Sequence, residues 1–137
     1  MSVRQNLISA CLLILSASLT TPVYARSVTD HLNRTVEVPD HIERVAVADI
    51  FPYASAVCVY LGSCRKIVAM HPSSMNAARS GLLHELYPEV ADINTSVMQG
   101  AEVNLEALMG LRPDVVFVNA GNKRLIERLE AAGLPAL

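Results

Sequence analysis

The sequence predicts an α/β domain built on a mainly parallel, open sheet flanked by helices. Residues 44–70 read strand, helix, strand, which is a right-handed crossover and implies parallel neighbours in one sheet. The same unit returns between Asp114 and Leu137. Asp114-Val115-Val116-Phe117-Val118 is also a nearly unbroken apolar run, the pattern of a strand covered on both faces rather than one.

The chain opens on Arg4, an apolar stretch from Leu7 to Leu19, and the small residues Val23 and Ala25 on either side of Tyr24. This is the pattern of a secretory signal peptide over 1–25, cleaved before Arg26. The apolar run is too short for a membrane span. Ile8-Ser9-Ala10-Cys11 also fits a lipid-attachment box, but Leu12 to Leu15 continue the apolar run past Cys11, where such a cysteine should close it. The expected mature chain is 26–137, enough for one core and too short for two domains. It carries 10 basic and 13 acidic residues, a net charge of −3, so neither nucleic acid nor an anionic membrane is an expected partner.

Thr35 to Val38 alternates like a short strand and closes at Pro39-Asp40. Arg44 to Ala48 is the first core strand, Asp49 to Pro52 breaks it, and Tyr53 to Leu61 forms a buried helix stopped by Gly62. Lys66 to Met70 is the next strand. Ser73 to Tyr87 reads as a helix broken around Ser80-Gly81, and Asp92 to Ala101 as an irregular loop. Asn104 caps a short helix running to Gly110, with Leu105, Leu108 and Met109 expected inward. Asn122 caps a further helix with Leu125, Ile126 and Leu129 on one face, ended by Gly133 and Pro135, and Pro135-Ala136-Leu137 starts a third crossover strand.

In an open parallel sheet, chemistry gathers in the loops after the carboxyl ends of the strands. Here those loops carry Asp49 to Pro52, His71 to Ser74, and Asn119 to Asn122. His71 follows a strand directly, where an imidazole can meet a metal complex or stand as an ordinary loop residue. Asp49 is better placed to cap the next helix than to orient a ligand. His31, His41 and His84 read as ordinary surface histidines, and Met70, Met75, Met98 and Met109 as packing.

Cys58 and Cys64 read as two buried apolar residues, or as a local disulfide if the helix ends near Leu61-Gly62. No glycine-rich phosphate loop is present. An enzyme is not expected: Ser73 and Ser74 lack a glycine-flanked elbow, and no carboxylate pair or helical histidine pair has a catalytic spacing.

From Val28 to Leu137 the chain resembles the substrate-binding proteins of ABC importers for iron siderophores, haem and vitamin B12. Val28-Thr29-Asp30 with Arg34-Thr35-Val36-Glu37-Val38-Pro39 resembles their opening hairpin, and Arg44 to Ala48 their first core strand. Leu61-Gly62 and Lys66 to Ala69 resemble the helix end and the strand after it. The most specific phrase is Asn104-Leu105-Glu106-Ala107-Leu108 followed by Leu111-Arg112-Pro113-Asp114-Val115-Val116.

This resemblance implies the amino-terminal lobe of a two-lobed periplasmic protein that holds a metal complex in a cleft and hands it to an ABC permease in the inner membrane. Asp49, Phe51, His71 and Asn119 would then line this lobe's half of the cleft, with His71 as the candidate metal contact and Glu106 docking with a permease arginine. The implied ligand is an iron chelate, haem, cobalamin or a nickel complex, with no covalently bound cofactor. The family's linking helix and carboxy-terminal lobe have no counterpart in these 137 residues, so the expectation is a truncated lobe. Its alternative is an exported α/β domain that keeps the fold without binding a ligand of its own.

Overall fold

The computed structural model describes residues 25–100 and 102–137. The expected signal peptide, apart from Ala25, and Cys11 lie outside them.

Strand β1 (Ala25–Thr29) pairs antiparallel with β2 (Thr35–Pro39) as a separate hairpin. Strands β3 (Val45–Val47), β4 (Ile67–Ala69) and β7 (Val115–Phe117) form the central parallel sheet in the order β4-β3-β7. Parallel bridges widen it at both edges, Ala69 to Asn94 and Val116 to Ala136. The expected strand at Pro135 to Leu137 is thus present as backbone pairing: Val116 N–H donates to Pro135 O (2.8 Å) and Leu137 N–H to Val116 O (3.0 Å). The described strands are shorter than the apolar runs that predict them.

Alternation along the strands divides the interior into two layers. Val45, Val47 and Val115 face one layer, and Ala46, Ala48, Val116 and Val118 the other. The β3–β4 register shifts between Val45 and Ala46, so Ile67 and Ala69 enter different layers although they are two residues apart.

The first layer is closed by Ala54 and Cys58 of helix α1 (Tyr53–Leu61) and by Met75 and Ala78 of α2 (Pro72–Ser80). Helix α3 (Leu82–Leu86) follows the break at Gly81 and leads to a 3-10 turn at Pro88–Asp92. The expected irregular segment Asp92 to Ala101 holds a two-residue strand, β5 (Met98–Gln99), which pairs antiparallel with β6 (Glu102–Val103) just beyond it. The second layer is closed by Leu108 of α4 (Leu105–Gly110) and by Leu125, Ile126 and Leu129 of α5 (Lys123–Ala131). Met109, expected inward, is 46% exposed: α4 is too short to bury more than the stripe centred on Leu108.

Two helices end in the same way. Gly62 (φ 66°) and Gly133 (φ 73°) take the left-handed conformation. The residue after each donates back to the helix, Ser63 N–H to Cys58 O (3.1 Å) and Leu134 N–H to Leu129 O (3.0 Å). The first reversal returns the chain onto the end of α1, with the Cα atoms of Cys58 and Cys64 4.5 Å apart and the two residues joined as a disulfide. The plainer expectation of two buried thiols is corrected: both residues are buried, but as a bridge.

Candidate ligand-binding rim

Read across the sheet, its five parallel positions come from the third, second, first, fourth and fifth segments of the chain. The order reverses between β3 and β7. The crossover after β3 covers one face and that after β7 the other, so their loops diverge and open a crevice at the carboxyl ends of the strands.

Two carboxylates staple the strands on either side of that crevice. At the amino ends, Asp114 Oδ2 accepts the Glu43 and Arg44 backbone N–H groups, each at 2.8 Å. Arg44 Nε returns a bond to Leu111 O (2.8 Å). These bonds are what Leu111-Arg112-Pro113-Asp114 does in this chain: they set the register of β7 against β3.

At the carboxyl ends, Asp49 Oδ1 accepts the Asn119 N–H (2.7 Å) and Oδ2 accepts from Asn122 Nδ2 (2.8 Å). The expected helix cap at Asp49 is therefore corrected. Helix α1 starts at Pro52 without a side-chain cap, because the Asp49 carboxylate is drawn across the crevice to the facing loop. Asn122 transmits that contact onward, its Oδ1 accepting the Leu125 N–H (3.2 Å) at the start of α5.

Asn119 is exposed, and its Oδ1 accepts the Gly121 N–H (2.8 Å), which tightens the loop. Phe51, beside the cis Phe51–Pro52 bond, is 56% exposed at the end of the first loop. His71 is half-buried at the amino end of α2, where its Nδ1 accepts the Ser73 N–H (3.0 Å). That bond engages one ring nitrogen at the start of α2. Among the described residues, no group of three or more His, Cys, Asp or Glu side chains is placed to hold a metal ion.

A cavity of about 410 Å³ opens beside the crevice. Asn119 and Ala120 reach it from the rim, and Ile50, Tyr53 and Phe117 form an apolar wall, the two rings meeting edge to face at 5.2 Å. His31, Leu32 and Arg34 of the β1–β2 turn close its far side. Asp49, Phe51 and His71 do not line it. His31 and Tyr53 are the residues that sequence reading passed over. No local pattern marks them, because their neighbours around Phe117 and Asn119 are more than sixty positions away in the chain. Glu106 stands apart from the rim, exposed in the first turn of α4, where the helix dipole favours its carboxylate.

Desolvation pushes the Asp30 carboxyl up. The Arg34 and Leu32 backbone N–H groups and the Arg34 guanidinium outweigh it and hold the group below its ordinary 3.8. Glu89 is held below its ordinary 4.5, first by its own backbone N–H, against a desolvation that raises it, and further by Ser63, the Cys64 N–H and Arg65.

An open parallel sheet with its crevice at the carboxyl ends of the strands is the architecture in which α/β proteins place a ligand. The chain matches no family profile. It is 31% identical over 137 residues to the molybdate-binding protein MolA of Haemophilus influenzae, covering 97% of this chain and 36% of that protein. A periplasmic solute-binding protein of Veillonella parvula superposes with a TM-score of 0.79 at 30% identity, over 83% of this chain and 35% of that one. Molybdate-bound MolA gives 0.66 at 29%, over 82% and 33%. The haem-binding protein HmuT gives 0.62 at 26%, over 89% and 36%. The chain is thus similar to the periplasmic solute-binding proteins of ABC transporters, spans about a third of their length, and fits one lobe, the amino-terminal one.

Proposed function

We propose that this chain is the amino-terminal half of the solute-binding component of an ABC importer, exported behind a signal peptide over 1–25. It takes a metal-containing solute at the rim in the periplasm and delivers it to an inner-membrane permease. The observation that carries this reading is the switch-point crevice bridged by Asp49, with His71, Phe51 and Asn119 on the loops around it. The relatives named above bind molybdate and haem, so the solute class spans metal oxyanions and metal chelates.

In this reading Phe51 supplies an apolar contact, the Asn119 side chain hydrogen bonds, and His71 an imidazole nitrogen, while Asp49 shapes the rim from beneath. Glu106 meets a cationic residue of the permease. The test is calorimetric titration of the purified chain with sodium molybdate, haem, cobalamin, nickel-histidine and a ferric siderophore. We expect saturable binding of one of the five, weakened at least about tenfold in His71→Ala or Phe51→Ala. Glu106→Ala should leave solute binding intact and weaken capture by permease-containing vesicles. A folded sample that takes up none of the five overturns the reading.

A further inference from the structure

The cap on α2 settles which ring nitrogen of His71 carries hydrogen. Pro72 opens the helix without an N–H, so Ser73 is its first backbone donor. The His71 carbonyl oxygen accepts the next two, from Ser74 (2.9 Å) and Met75 (3.1 Å), and the ring takes the first, Nδ1 accepting the Ser73 N–H (3.0 Å). A ring nitrogen that accepts bears no proton, so the neutral imidazole carries its hydrogen on Nε2. Among the described residues Nε2 has no partner, and it is not buried: Ser74 Oγ is the buried side-chain polar atom left without one.

This is the reverse of the arrangement in which histidine ligates a metal. A ligating imidazole turns a bare nitrogen to the ion and donates its other N–H to a carbonyl or carboxylate. For His71 to ligate through Nε2, its hydrogen would have to move to Nδ1, where it faces the Ser73 N–H and breaks that bond. Ligation through Nδ1 displaces the same N–H. Either route loses the cap, a loss of about fivefold in an equilibrium constant. An oxygen acceptor meets the Nε2–H with the cap intact. The loops of the rim also hold no free carboxylate to repel an anion: Asp49 is their one acid, and both its oxygens are taken by Asn119 and Asn122.

We propose that His71 is a specificity-determining donor whose Nε2–H recognises an oxygen of an anionic solute and does not ligate the solute's metal. The acceptor is an oxygen of a metal oxyanion or a carboxylate of a metal chelate. This role rests on the solute-binding reading above and narrows it from metal-containing solutes in general to those that offer such an oxygen.

Long-range proton–nitrogen spectra of the isotope-labelled chain at about pH 8 read the tautomer without any solute, the His71 signals being those lost in His71→Gln. The Nε2–H form is expected. The Nδ1–H form overturns the proposal and leaves the wider reading standing. Two variants then separate donor from cap. His71→Gln sets an amide N–H near the Nε2 position and gives up the cap, whereas His71→Asn caps well and lacks that donor. Calorimetry uses sodium molybdate for the oxyanion and haem for the carboxylate. The one that the unaltered chain takes up is expected to bind His71→Gln within about threefold, and His71→Asn at least about tenfold more weakly, although urea denaturation ranks His71→Asn as the more stable. Affinities that are equal or ranked the other way, in variants shown to be folded by circular dichroism, overturn the proposal. An unaltered chain that takes up neither solute overturns it whatever the tautomer, and the wider reading falls with it only if the remaining solutes also fail.

Discussion

Replacing Asp49 by Ala removes the staple at the carboxyl ends of β3 and β7. Its two oxygens accept from Asn119 N–H at 2.7 Å and Asn122 Nδ2 at 2.8 Å. Hydrogen bonds to a charged group are worth about 1.5–3 kcal/mol each. Asn119 is exposed and its N–H regains water when the carboxylate goes, which places that bond near or below the low end. The half-buried Asn122 amide recovers less. The sum is about 2–3 kcal/mol of unfolding free energy.

Asp49→Asn keeps the shape and one acceptor oxygen, so about half that loss is expected. Urea denaturation measures both. Amide exchange should show the effect concentrated at the start of α5, because Asn122 both bonds Asp49 and caps the Leu125 N–H. A loss below about 0.5 kcal/mol for Asp49→Ala, or exchange accelerated evenly across the fold, would refute the staple.

Two further outcomes follow from the same contacts. The Cys58–Cys64 bridge closes a loop with a sequence separation of 6, for which loop-closure entropy gives about 2 kcal/mol. Cys58→Ala with Cys64→Ala should lower the unfolding free energy measured in urea by that amount without shifting the solute titration, because the bridge lies at the far end of α1 from the rim. The depressed carboxyls of Asp30 and Glu89 contribute stability that is present above their ordinary 3.8 and 4.5 and lost as pH falls through their lower folded values. Unfolding free energy should therefore fall on acidification from about pH 4.5 downward, with a shallower slope in Asp30→Asn combined with Glu89→Gln. An unchanged slope would show that neither carboxyl is favoured by folding.

The order of the elements was legible in the sequence because it is carried by local chemistry. Gly62 and Gly133 end helices by taking a backbone region that residues with a Cβ avoid, and Asn104 and Asn122 start them by accepting an N–H three residues on. The unbroken apolar run at 115–118 marks a strand with a layer on each side, and both layers are there. The resemblance carried by Asn104 to Val116 pointed to the family that the comparisons bear out at about a third of its length. These features need only near neighbours along the chain.

Tertiary structure decided which polar side chains are free. Asp49 looked like a helix cap and spans the crevice instead, because its partners lie 70 and 73 positions away. His71 reads as a metal-complex contact or an ordinary loop histidine, and its Nδ1 is taken by the start of its own helix. Arg34 looked like part of a hairpin and reaches 102 positions to Ala136. Local propensity fixes where a strand or helix begins and ends. What a carboxylate, imidazole or guanidinium does depends on the donors and acceptors that strand order and register bring within about 3 Å, and pairing over such distances leaves no periodic trace in the chain.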